Sequence, residues 1–171
     1  TAGPDRVPRT TLAAALRRLP HEPRVVVAGN HATPWHTLGL LDALLPAYRL
    51  WMLNAQRGLP DRDGVVLETS FVGPGMRRSP RLSYVPSRLS MVPTLFASRM
   101  PPDAVVLHTT RPRHGRVSMG AEVNVLPAAV EQVRRRGGVV VAQVSRHVPW
   151  TFGDSEIDLD LVDVVVEADE A

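Results

Sequence analysis

A chain of 171 residues with 44 % hydrophobic and 22 % charged residues has the composition of one globular domain, not of a disordered or membrane-embedded segment. It contains no cysteine, which excludes disulfides, thiolate catalysis and cysteine-ligated metals; all 20 basic residues are arginine, which excludes a lysine Schiff base or a Walker-type lysine. The net charge of +3 is too small to make nucleic acid the default partner, and no apolar run approaches the roughly 20 residues that cross a bilayer, so a cytoplasmic protein with no membrane partner is expected.

Residues 1–9 read as an arm or linker, with the Pro, Gly and charge content of a connecting segment. Thr10 and Thr11 are candidate caps for a short helix to Leu19, which Pro20 and Pro23 stop. Arg24 to Ala28 (RVVVA) is a continuous β-branched run, as in a strand buried on both faces, and Gly29-Asn30 follows as a turn. Pro34 suits the first turn of a helix to about Leu45 whose Leu38, Leu41, Leu45 and Leu44 make an apolar stripe. Strands are predicted at Tyr48 to Leu53 and Val65 to Leu67, the latter after the turn Asp61-Arg62-Asp63-Gly64.

Gly73 to Pro93 is rich in Pro, Ser and Arg and lacks periodicity, so it reads as an ordered, irregular excursion. A short helix near Pro93 to Ser98, a buried strand at Asp103 to Leu107, a loop to about Asn124 and a helix over Pro127 to Arg136 come next. Arg134, Arg135 and Arg136 are the densest basic run, but they close that helix, where cations complement its dipole; Gly137-Gly138 then ends it. Strands at Val139 to Val144 and Val162 to Val166 complete the pattern. Strands alternating with helices predict an α/β fold: an open, mainly parallel sheet with helices on both faces.

In the last third, Pro102-Asp103-Ala104-Val105-Val106-Leu107, then Gly115-Arg116-Val117-Ser118-Met119-Gly120, then Val144 through Pro149, Thr151, Gly153, Asp154 and Ser155, and finally Asp163-Val164-Val165-Val166-Glu167 appear in order. Together they resemble the amino-terminal domain of acetyl-CoA hydrolases and CoA-transferases of the 4-hydroxybutyrate and succinyl-CoA:acetate type, where a DVALI-like strand precedes G-x-x-S-x-G, an E-V-N-x-x-M-P-x-T-x-G-D-S loop and a D-x-V-V-E strand. Upstream, Gly29, Asn30 and Pro34 sit like the family's first strand, loop and helix, and Tyr84 to Pro93 like its Y-x-P-x-x-L-S-x-x-P segment, so the resemblance spans Arg24 to Asp169. The family's Glu-Val-Asn is Gln143-Val144-Ser145 here, its Met-Pro-Arg is Val148-Pro149-Trp150, and its acidic loop becomes Thr110-Arg111-Pro112-Arg113.

The resemblance implies a CoA-transferase-like (NagB/RpiA-like) domain over residues 10–171, the amino-terminal half of an acyl-CoA:carboxylate CoA-transferase or acetyl-CoA hydrolase. In that family a glutamate attacks an acyl-CoA, the acyl-glutamyl anhydride becomes an enzyme–CoA thioester, and a carboxylate or water takes over. The nucleophile belongs to a carboxyl-terminal domain, so no catalytic residue is expected in this chain, and the partners implied are that domain or subunit, acyl-CoA and a small carboxylate, with room for a homodimer. CoA enters as substrate, with no tightly bound cofactor. The expected substrate-binding residues are Asn30, Ser118, Gly120, Ser145, Pro149, Thr151, Gly153, Asp154 and Ser155, on loops at the carboxyl ends of strands. The competing reading of Gly153-Asp154-Ser155 is a plain turn with Asp154 bonding its own backbone.

Other constellations are weaker. Glu122 and Glu68 are conceivable nucleophiles, but neither matches the family's catalytic position. His31 with His36, and His108 with His114, lack the converging ligands a metal needs, so no metal is expected. No G-x-S-x-G elbow follows a strand and no G-x-G-x-x-G lies between strand and helix, which argues against a serine hydrolase and against NAD. Trp150 stands out because it occupies the common arginine position, where it can narrow an acyl pocket or bury a domain-facing surface. Two rivals remain: a non-catalytic ligand-binding or scaffolding module of the same fold, and an arginine-rich RNA binder, which predicts steeply salt-dependent affinity.

Overall fold

A computed structural model describes residues 10–170, so the predicted arm at 1–9 lies outside the described residues. The main sheet holds seven strands, all parallel: β1 (Arg24–Val27), β2 (Tyr48–Trp51), β3 (Val65–Thr69), β4 (Leu82–Tyr84), β5 (Ala104–Thr110), β7 (Val139–Ser145) and β9 (Val164–Glu167). Their order is β4-β3-β2-β1-β5-β7-β9, so the chain builds outward from β1 in one direction and then, from β5, in the other. β6 (Arg116–Ser118) and β8 (Glu156–Asp158) form a separate antiparallel ribbon.

The valine-rich strands are buried along both faces, as their lack of alternation predicts. One face packs Val25, Val27, Leu50 and Val106 against α1 (Leu12–Leu16) and α2 (Trp35–Leu44), through Leu12, Leu38 and Leu41. The other packs Val26, Trp51, Val105 and Val140 against α3 (Val92–Ala97) and α4 (Leu126–Arg135), with Trp51 and Phe96 in an edge-to-face contact at 4.9 Å. Thr11 caps α1, its Oγ1 accepting from the Ala14 amide at 3.2 Å. Beyond α4, Gly137 takes φ +70° and the Gly138 amide donates to the Val133 carbonyl, a stop only glycine makes without strain.

The structure differs from expectation in its short strands. β4 emerges inside the stretch read as irregular, and β6 and β8 inside predicted loops, because three residues carry no periodicity and are defined only by the strand they meet.

Candidate functional site

Strand order reverses between β1 and β5, so their exits lead to opposite faces of the sheet and leave a crevice at the carboxyl ends. Gly29 begins the β1 exit; a Cβ on it would sit 2.1 Å from the Leu53 carbonyl oxygen, so only glycine allows the exits of β1 and β2 to close together. Asn30, Asn54 and Asn124 follow with φ of +50°, +45° and +28°, left-handed backbone that asparagine tolerates better than most residues. They converge. The Asn30 amide nitrogen lies 3.1 Å from both carboxylate oxygens of Glu122, its oxygen accepts from the Asn54 amide, and the Asn124 amide donates to Glu122 as well.

Glu122 is 8 % exposed. Burial raises its carboxyl above the usual 4.5, and the Asn30 and Asn124 amides and the charge of His31 oppose that shift without cancelling it. The folded state therefore keeps this proton to higher pH than the unfolded chain, and the stability so gained is lost as pH rises from 4.5 through the folded value. Glu122→Gln, uncharged throughout, is expected to lack that decline, so the gap between wild-type and variant urea midpoints should move in the variant's favour as pH rises above 4.5. Parallel midpoint curves would sink the assignment.

The predicted residues Ser118, Gly120, Thr151 and Ser155 are brought together, but their polar atoms face one another. Ser118 Oγ donates to the Thr151 carbonyl at 2.8 Å and accepts from the amides of Thr151 at 3.0 Å and Gly120 at 3.2 Å. Thr151 Oγ1 donates to the Gly120 carbonyl at 2.6 Å, and Ser155 Oγ to the Thr151 carbonyl at 2.7 Å. Gly120 has φ +62°, and a Cβ there would meet Val148 at 2.7 Å and the Pro149 carbonyl at 3.2 Å. This knot clamps the loop after β7 onto the end of β6. Gly153, Asp154 and Pro149 lie on its exposed rim. Gly153–Ser155 is a single 3-10 turn, and Glu156, not Asp154, accepts from the Gly153 amide, at 3.3 Å.

Ser145, the remaining predicted residue, is turned toward the end of the chain, donating to the Glu170 carbonyl at 2.7 Å and accepting from the His147 amide. Beside it, Gln143 is fully buried: its oxygen accepts from the Thr37 amide and hydroxyl, and its nitrogen donates to the Glu170 carboxylate at 2.7 Å, which also accepts from the His36 amide. That network fixes the start of α2. His108, opposite Gln143 in the β5–β7 register, is buried, and desolvation lowers its pKa against the opposing pull of Glu170 and the Ala32 backbone. Arg113 stacks over Trp150 at 5.4 Å, so two of the departures from the family pattern meet each other.

Glu68 is buried between Arg24 and Arg49 and is a structural ion pair. No group of three or more His, Asp or Glu side chains able to hold a metal occurs among the described residues, and no helix among them is long and apolar enough to cross a membrane. Sequence reasoning missed the partners of Asn30. The available signal was an asparagine after β1, another after β2 and a third just before α4.

A parallel sheet with helices on both faces and a polar cluster at its strand-order reversal places the chain among the doubly wound α/β domains. The profile of the acetyl-CoA hydrolase/transferase N-terminal domain matches residues 59–171, more than half of the chain, and the chain belongs to that family. The 4-hydroxybutyrate coenzyme A transferase of Clostridium kluyveri is 33 % identical over 92 residues, 53 % of this chain and 20 % of that protein. RipA from Yersinia pestis superposes with a TM-score of 0.79 at 19 % identity, covering 94 % of this chain and 42 % of RipA. The 4-hydroxybutyrate CoA-transferase from Porphyromonas gingivalis gives 0.64 at 21 % identity, over 95 % of this chain and 40 % of that one. The fold is shared, and this chain spans less than half the length of each of these relatives.

Proposed function

We propose that this chain forms one wall of the active site of an acyl-CoA:carboxylate CoA-transferase or acetyl-CoA hydrolase acting in the cytoplasm, with the glutamate nucleophile supplied by a carboxyl-terminal domain or subunit. The observation that carries the reading is the convergence of the Asn30–Glu122 cluster and the Ser118–Thr151 knot at the carboxyl ends of β1, β5 and β7, where the family motifs also fall. CoA thioesters and small carboxylates are the substrates of this proposal. The knot and the asparagine cluster shape and dehydrate the wall, and oxyanions formed at the thioester carbon are stabilised by backbone N–H groups lining the closed cleft.

The test is CoA exchange from acetyl-CoA to a carboxylate by this chain complemented with the carboxyl-terminal half, together with hydroxylamine or borohydride trapping of a glutamyl–CoA thioester. Exchange and a trapped thioester are expected; folded, complemented protein giving neither would overturn the reading. The inward use of Gln143 and Ser145 favours a second reading, a non-catalytic module of the same fold, under which ligand binding persists and no thioester is ever trapped.

A further inference from the structure

The loops that follow β2 and β3 line an open cleft of about 690 Å³. Arg57, Arg77 and Arg78 line it, with Gly58, Gly75 and Asp61. Asp61 does not neutralise them: it accepts from Ser79 Oγ at 2.8 Å and from Arg81 at 3.4 Å. The side chains of Arg57 and Arg78 have no partner among the described residues, and Arg77 reaches only the Val72 carbonyl, at 3.4 Å. The neighbouring Arg62, by contrast, is tied to Asp42 at 3.0 Å.

The two loops are locked face to face, so the arginines stand on a fixed frame. The Gly75 amide donates to the Ala55 carbonyl at 2.8 Å, and a Cβ on Gly75 would lie 2.0 Å from the Gln56 carbonyl oxygen, so no other residue permits this approach. Met76, beside it, is fully buried. At the rim, the half-exposed Trp35 ring stands 3.6 Å from the Cβ position of Gly58, a flat apolar surface next to the guanidinium groups.

Guanidinium groups present forked donors that match phosphate oxygens, and a cleft of this volume takes a ligand of nucleotide size. The chain also links the cleft to the asparagine cluster. Gln56 donates to the Asn54 carbonyl at 2.9 Å, and Arg57, three residues beyond Asn54, has its Cα within about 11 Å of it.

We propose that this arginine cleft binds an oligophosphate and, resting on the function proposed above, that it holds the 3′-phospho-ADP end of CoA while the acyl end lies toward Asn30. Calorimetric titration of this chain with CoA, dephospho-CoA, ADP and pantetheine tests it, using wild type, R57Q/R78Q and, as a remote control of equal charge change, R17Q/R18Q. CoA should bind more tightly than dephospho-CoA, and pantetheine should not bind. R57Q/R78Q should weaken CoA at least tenfold with an unchanged melting temperature, and R17Q/R18Q should not. Unchanged CoA affinity in folded R57Q/R78Q, or no binding by any phosphate ligand, overturns the site, and ADP binding as tightly as CoA overturns its assignment to CoA. CoA exchange by the complemented enzyme with an unresponsive cleft defeats this inference alone. Phosphate binding at the cleft without exchange defeats the proposed function alone.

Discussion

Glu68→Ala is expected to destabilise the protein by about 3 kcal/mol, the lower end of the cost of removing one partner from a buried ion pair. The Glu68 side chain is 2 % exposed and accepts from Arg24 Nε at 2.7 Å, Arg24 Nη2 at 3.1 Å and Arg49 Nη1 at 3.1 Å. Its removal leaves the Arg24 guanidinium, 16 % exposed, with only a 3.4 Å contact to the Pro101 carbonyl, whereas Arg49, 40 % exposed, can turn to water, which keeps the cost near the lower end. For a domain of this size, about 3 kcal/mol corresponds to a melting temperature lower by roughly 6–12 °C. Replacing Arg24 as well, in R24M/E68L, should recover most of the loss, because no charge is then left buried. A change below about 0.5 kcal/mol in E68A would contradict the keystone role. The same geometry bears on chemistry: a carboxylate with both oxygens engaged by guanidinium groups and closed to solvent cannot reach a thioester carbon.

How much of this was legible in the sequence depended on the range over which each feature is determined. RVVVA, DAVVL and VVVAQV read as strands because burial on both faces removes alternation, a property of the segment itself. The stop after α4 also read correctly, since Gly137 and Gly138 act through their own backbone, whereas the helix expected to reach Leu19 ends at Leu16, before Pro20. LSY, RVS and EID did not, because each is a strand only by virtue of a partner elsewhere in the chain. At the site, family order singled out Ser118, Gly120, Thr151 and Ser155, but whether their hydroxyls face a ligand or one another depends on how two loops 33 residues apart are folded together. In the sequence Glu122 is a carboxylate in a predicted loop, and nothing beside it shows what surrounds it. Its environment comes from asparagines 92 residues before it and two after it.

Ser118→Ala separates those two readings of the motif serine. If the hydroxyl served only a ligand, its loss would leave stability within about 0.5 kcal/mol of wild type. In the structure it is fully buried and satisfies the amides of Gly120 and Thr151 while donating to the Thr151 carbonyl. Alanine would orphan two N–H groups, each at about 1–3 kcal/mol, whereas the carbonyl would keep its bond from Ser155 Oγ at 2.7 Å. The expected loss is therefore about 2–6 kcal/mol, read from urea denaturation. Ser155→Ala should cost less, since it removes one donor from a carbonyl that Ser118 still serves. Hydrogen exchange adds a readout of place: in S118A the amides of Gly120 and Thr151 should exchange faster than those of β5 and β7, because the clamp between loops opens before the sheet does. A stable S118A with those two amides still protected would mean that the knot does not depend on this hydroxyl, and the serine would then be free for a ligand in the assembled enzyme.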